Sequence, residues 1–199
     1  MKTSSNPDGR PRIIVLTAPS GAGKTSIAKA LLKRIDGLRF SVSATTRAAR
    51  GNEQDGIDYH FLTREAFEDA VAQKAFAEYE EVYPGKWYGT PYAEIDRATP
   101  EEPMLLDIDV HGALRVKEKY GSDVQAIFVV PPSLAVLTER LRARGTETEE
   151  ALTIRLDRVR YELSYADRFD VRVVNDDLKR ASDEVTRLTN QFLGRVVSE

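Results

Sequence analysis

The chain predicts an α/β fold: a mainly parallel sheet with helices on both faces, interrupted by a small inserted unit of mixed α/β structure. Three observations predict it. Apolar, strand-like runs recur at residues 13–17, 38–43, 104–108, 125–130 and 170–174, most of them separated by stretches of helical periodicity, the alternation that builds parallel sheets. The first run stops in Ala18-Pro19-Ser20-Gly21-Ala22-Gly23-Lys24-Thr25 and restarts as a helical pattern over 26–32, the strand–loop–helix context of a phosphate-binding loop. Residues 51–92 break the alternation and read as an insertion.

Each element has its reason. Residues 13–17, IIVLT, are short, apolar and β-branched, as suits a buried strand. At its exit Gly21 and Gly23 keep close-approach positions free of Cβ, and the helix that follows aims backbone N–H groups and its positive dipole end at one small volume. An anion fits there. Ala18, Pro19, Ser20, Gly21, Ala22, Gly23, Lys24, Thr25 and Ser26 are therefore candidate ATP-binding residues, with Lys24 reaching the β- and γ-phosphates and the Thr25 hydroxyl a ligand for Mg²⁺. Alanine stands at position 18, where such loops usually begin with glycine, and is acceptable if its φ stays negative.

The second run leads into SVSATTRAAR, residues 41–50. Arg47 and Arg50, three apart just past a strand, can clamp one phosphate with their planar donor forks, and tyrosine hydroxyls such as those of Tyr59 and Tyr88 can complete the cage. Within 51–92 the pattern predicts GIDYHFL at 56–62, a helix over 64–73 and two extended pieces around Pro84-Gly85. The Glu78 carboxylate can accept from two adjacent N–H groups, which guanine presents at N1 and N2 and adenine lacks; a hydroxyl at Thr90 or Ser43 suits guanine O6.

In Leu106-Asp107-Ile108-Asp109, period two places both carboxylates on one face at a strand's carboxyl end, which in open α/β sheets faces the ligand crevice. Asp107 and Asp109 can hold Mg²⁺, mostly through water, or position an acceptor; a helix cap is the alternative for Asp109. Residues 140–160 read as an arginine-rich helix end, a Gly-Thr-Glu-Thr-Glu break in which Thr146 and Glu149 have capping-box spacing, and a second helix. Arg140, Arg142 and Arg158 there suit solvated helix faces equally well. Asn175, after the last strand run, can contact adenine or form a plain turn. Leu178, Ala181, Val185, Leu188, Phe192 and Val196 mark a final core-packing helix.

Composition narrows the function classes. A net charge of −3 argues against a general nucleic-acid binder, and the absence of cysteine removes disulfides, thiol catalysis and thiolate-bound metal. His60 and His111 lack metal-site spacing. Residues 1–11 have no apolar core segment and read as a flexible tail, neither secretory signal nor anchor. No later run has the length to cross a bilayer, so a cytoplasmic protein without membrane or nucleic-acid partners is expected, its oligomeric state open.

Seven motifs taken together, APSGAGKT, SVSATTRAAR, GIDYHF, WYGTP, LDIDVHG, RARGTETEEA and VVNDD, make the chain resemble the guanylate kinases from about Ile13 to the last helix. The resemblance implies a P-loop parallel-sheet core (12–50, 93–139 and 168–199), a GMP-binding subdomain (51–92) and a helical lid (140–167). It implies transfer of the γ-phosphoryl group of ATP to GMP or dGMP, giving ADP and GDP with Mg²⁺ as cofactor. Ser43, Arg47, Arg50, Tyr59, Glu78, Tyr88 and Thr90 would then bind GMP, with Asp107 and Asp109 beside them. Lys24, Arg47, Arg144 and Arg155 would surround the transferring group.

Three departures from the family pattern stand out: Ala18, the missing proline before Arg50, and Pro84-Gly85-Lys86, which lengthens the turn ahead of Trp87 and Tyr88. Two rival readings share the scaffold. A ribose 1,5-bisphosphate kinase would have no use for a guanine reader at Glu78, and a phosphopeptide-binding guanylate-kinase-like module would have lost the working ATP loop.

Overall fold

The structure, a computed structural model, describes residues 10–143 and 149–195. In chain order its elements are β1 (Ile13–Thr17), α1 (Lys24–Arg34), β2 (Arg39–Phe40), β3 (Ala44–Thr45), β4 (His60–Phe61), α2 (Arg64–Ala72), β5 (Phe76–Tyr83), β6 (Lys86–Pro91), α3 (Tyr92–Ile95), β7 (Met104–Asp107), α4 (Val110–Tyr120), β8 (Val124–Val130), α5 (Leu134–Ala143), α6 (Glu149–Leu163), β9 (Val171–Val174) and α7 (Leu178–Phe192).

The five apolar runs form the main sheet, ordered β2-β7-β1-β8-β9 and parallel throughout. Period two explains its two-sided core. Ile13 and Val15 of β1 pack with Leu106, Phe128 and the α4 residues Ala113 and Val116. Ile14 and Leu16, one step out of phase, pack on the other face with Ile27 and Leu31 of α1 and Ala181 and Val185 of α7. The run expected over 38–43 is a strand only at Arg39–Phe40, an exposed edge with one neighbour. The stripe on α7 begins one turn late: Leu178 is 46% exposed, while Ala181 and Val185 are buried. Val196 lies outside the described residues.

The insertion builds a second sheet, ordered β4-β3-β6-β5. Its helix α2 starts at the Thr63 cap, whose side chain accepts from Ala66 N, and buries Phe67 against Phe76 at a ring distance of 4.6 Å. β5 and β6 are the two extended pieces around Pro84-Gly85. This sheet also takes in β3, upstream of residue 51: two residues carry no readable period, and only pairing of Ala44 with Gly89 and Thr45 with Tyr88 reveals the strand. α5 and α6 meet over Ala22 of the phosphate-binding loop through Leu137, Leu141, Leu152 and Val159. Thr146, half of the expected capping box, lies outside the described residues. No helix among the described residues is long and apolar enough to cross a membrane.

Candidate active site

The carboxyl ends of the adjacent strands β1 and β7 place both halves of the site. Past β1 the chain turns through Gly21 (φ 87°) and Gly23 (φ 97°), a region open to glycine at low strain, and α1 begins with no side-chain cap. Its first amides are thus left for an anion. Ala18 does not take a positive φ, which among the described non-glycine residues belongs to Lys74 alone, so alanine fits the loop's first position.

A cavity of about 280 Å³ lies over this loop, lined by Ala18, Pro19, Ser20, Gly21, Gly23, Lys24, Thr25 and Ser26, with Val82, Tyr83, Asp109 and Glu162 opposite. Two expected ATP ligands face elsewhere. The Ala22 side chain is buried against Leu137 and Leu141. Asn175, expected at adenine, is 3% exposed and donates from Nδ2 to the Ala22 carbonyl at 2.7 Å. It lies so close beneath the loop that a Cβ at Gly23 would come within 2.2 Å of Nδ2, so its job is to hold the loop from behind.

Lys24 pairs with Asp107 and donates to the Ile108 carbonyl at 3.3 Å. Burial alone would lower its pKa; the Asp107 carboxylate outweighs that and the ammonium is held above its usual value. Asp109 departs from the expected strand geometry. β7 ends at Asp107, and Asp109 instead caps α4, accepting from His111 N at 2.7 Å and Gly112 N at 3.2 Å.

The structure gathers most of the expected acceptor residues around a second cavity of about 200 Å³: Ser43, Tyr59, Glu78, Tyr88, Asp107 and Asp109 line it together with Lys24. Glu78 stands directly across the β5–β6 hairpin from Thr90, whose fully buried hydroxyl donates to Oε1 at 2.6 Å. Thr90 therefore faces the carboxylate, leaving Ser43 as the hydroxyl on the cavity wall. Gly112 makes room for Glu78, because a Cβ there would lie 2.4 Å from Oε2. Burial pushes the Glu78 carboxyl up to about 7, with the Thr90 hydrogen bond opposing and the nearby Asp109 charge adding.

Arg47 is 9% exposed and stacks over Tyr59 at 4.7 Å, whose ring meets Tyr88 edge-on. Both of its terminal nitrogens are held by Glu53, at 2.6 and 2.8 Å, and Nη1 also donates to the Ala48 carbonyl. Glu53 further accepts from Arg50 N at 2.8 Å. The Arg50 side chain itself is exposed and does not line the acceptor cavity. Sequence reasoning missed Glu53; its available signal was a carboxylate in the turn just after the two arginines. It also missed Glu94, buried on α3, which accepts from Val42 N at 3.0 Å and so fixes the backbone beside Ser43.

Arg155 is half-buried on α6, whereas Arg144 lies outside the described residues. Arg140 donates to the Asn175 carbonyl at 3.1 Å, so it supports the loop's underside. Thr25 and Asp107, the expected Mg²⁺ residues, line a common cleft, and no cluster of three acidic or histidine side chains suited to a metal occurs among the described residues.

Comparisons with known proteins identify the family. A family model described as guanylate kinase matches residues 10–191. The chain is 53% identical over 181 residues to the guanylate kinase of Salinibacter ruber, covering 91% of this chain and 96% of the relative. It is 47% identical over 183 residues to that of Chlorobaculum tepidum, covering 92% and 93%. Among solved structures it is similar to the guanylate kinase of Anaplasma phagocytophilum, with a TM-score of 0.76 at 32% identity over 92% of this chain and 86% of that one. A shikimate kinase from Bacteroides thetaiotaomicron, at 13% identity and a TM-score of 0.53, shares the fold alone.

Proposed function

This chain belongs to the guanylate kinase family, and on that premise we propose how its residues divide the reaction. The enzyme transfers the γ-phosphoryl group of ATP to GMP, giving ADP and GDP. The observation that carries the division of labour is that Lys24, Val82 and Asp109 line both cavities, so donor and acceptor phosphates would meet at Lys24. Transfer between two bound anions is mostly a matter of alignment and charge compensation.

On the donor side, backbone N–H groups of the loop not already bonded within it, such as those of Lys24 and Thr25, hold the triphosphate, with the Lys24 ammonium on its β- and γ-phosphates. Mg²⁺ is the proposed cofactor. The Thr25 hydroxyl and, through water, Asp107 would hold it, and the donor set suits a hard cation that keeps most of its coordination for phosphate and water. When bound, the ion neutralises donor-phosphate charge.

On the acceptor side, Arg47 with Tyr59 and Tyr88 holds the GMP phosphate, and Arg50 joins from its exposed position as the subdomain closes. Glu78, oriented by Thr90, reads guanine N1 and N2, and Ser43 faces O6. Arg155 and Arg144 compensate charge on the transferring group. The acceptor unit is drawn at 51–92 and the lid at 140–167, supported by the second sheet and by the α5–α6 pair. Base and phosphate readers leave the ribose 2′-hydroxyl unassigned, which makes dGMP a second acceptor. A chain without cysteine acting on free nucleotides suits the cytoplasm.

ADP production from ATP and Mg²⁺, with GMP, dGMP, AMP, CMP, UMP and TMP offered in parallel, tests this reading. Turnover confined to GMP and dGMP is expected. Comparable rates with AMP would remove Glu78 as the base reader.

A further inference from the structure

We propose that Arg158 is a further catalytic arginine, donating from Nη2 to a phosphate oxygen of the nucleotide bound over the phosphate loop. This rests on the functional reading above, because it requires a triphosphate in the donor cavity. Helical periodicity alone leaves Arg158 on a solvated face of α6. The structure does not leave it there: its side chain is 27% exposed, Nε donates to Glu162 Oε1 at 2.8 Å, and Nη2 is buried without a hydrogen-bond partner among the described residues.

The surroundings of that orphan nitrogen point to a ligand. Glu162, 8% exposed, lines the donor cavity opposite the phosphate loop. Asp109, which lines the same cavity, is near enough for its charge to favour the Arg158 cation. Arg158 does not itself line the cavity; its guanidinium lies directly behind Glu162, which does, so a small shift of that pair brings Nη2 to a bound phosphate. Arg158 is also one helical turn from Arg155, so the two present neighbouring positions on α6.

A purely structural pair explains this arrangement poorly. An i,i+4 ion pair contributes little when exposed, and needs no burial to form. Here burial holds the Glu162 carboxyl above its ordinary range despite the adjacent arginine. A buried charged donor without an acceptor is costly. Such a group is retained where an acceptor arrives during function. A phosphate oxygen is that acceptor, and the guanidinium fork can serve it from Nη2 while Nε stays on Glu162. Glu162 then acts as a positioning residue, holding the fork against the cavity.

Three variants of the full-length enzyme separate the readings: Arg158→Met, which keeps the stem and removes the head, Arg158→Lys and Glu162→Gln. If Nη2 contacts phosphate, Arg158→Met lowers kcat about 10- to 100-fold and weakens ATP binding about fivefold or more, while KM for GMP changes little. Arg158→Lys retains a cation for Glu162 yet loses the fork, so its kcat falls at least about fivefold. Glu162→Gln, which loosens the fork without removing it, lowers kcat less than Arg158→Lys does. Arg158→Met within about twofold of wild type overturns the proposal. So does the opposite pattern, with Arg158→Lys like wild type and Glu162→Gln as damaged as Arg158→Met, because that is the signature of a structural pair. If Arg158→Met fails to fold, the other two variants decide. A wild-type enzyme that transfers nothing to GMP would sink the functional reading instead, and the ATP affinities would still judge Arg158.

Discussion

The donor half of the site is made by residues 18–26, one continuous turn from strand to helix, and it works mainly through backbone. The acceptor half is assembled from side chains, Ser43 and Arg47 beside β3, Tyr59, Glu78 and Tyr88 from the insertion, and Asp107 and Asp109 from the core. The two halves are therefore vulnerable in different ways. A backbone cradle tolerates changed side chains where φ is ordinary, as Ala18 does, and fails where φ or space demands glycine. A side-chain cage keeps its fold through substitution but loses specificity with one carboxylate, because Glu78 and Thr90 form a single buried pair.

The largest expected effect breaks the donor half. Gly23→Ala puts a Cβ at φ 97° and 2.2 Å from Asn175 Nδ2, so both the loop and its support must shift. Turnover should fall about a thousandfold and the melting temperature should drop by several degrees. Near-normal ATP affinity in this variant would show that the loop binds phosphate by some other geometry.

Next comes the acceptor's reader. Glu78→Gln turns one acceptor oxygen into a donor facing guanine N–H, and kcat/KM for GMP should fall about a hundredfold with ATP affinity unchanged. The pH dependence sharpens this. With the carboxyl pushed up to about 7 against an ordinary 4.5, it is protonated in the folded protein over a range where the unfolded chain has released the proton. Stability should thus fall as pH rises between those values, and Glu78→Gln should flatten that slope in denaturant midpoints. KM for GMP should rise as pH falls through about 7, more steeply than in Glu78→Gln, where only the GMP phosphate titrates. Identical pH profiles for the two enzymes would take Glu78 out of base recognition.

A smaller effect is expected at Glu53. Its carboxylate sits on both terminal nitrogens of Arg47 and accepts from Arg50 N, and the Arg47 hydrogen bonds hold its own pKa down at about 2. Glu53→Gln should raise KM for GMP about tenfold with a lesser change in kcat, since it loosens Arg47 without removing it. The smallest change is Ala18→Gly, which should alter ATP kinetics by less than about twofold. A large gain would mean that alanine does strain the loop.

Much of this was legible along the chain because local chemistry decides it. The apolar runs, the loop with its glycines and the helix over 64–73 depend on neighbours a few residues apart, and all but the second run, which shrinks to Arg39–Phe40, are where periodicity and turn chemistry put them. Glu78, Tyr59 and Tyr88 were readable as acceptor residues by chemical type, and the hairpin brings them to one wall.

Other assignments needed tertiary distance. Asn175 reaches Ala22 across 153 residues of chain, and nothing in VVNDD says that its side chain turns inward beneath the loop. Thr90 was expected at the base and is instead consumed by Glu78, a choice made by hairpin register. Asp109 lies two residues beyond the end of β7, where it caps α4 instead of extending the strand. Residue type and spacing thus determined the fold class and nominated the residues proposed for both phosphate sites. Which side chains face the cavity, which support it from behind and which carboxyl holds its proton depended on burial and long-range pairing. Those are properties of the space around an atom, set only when distant segments pack together.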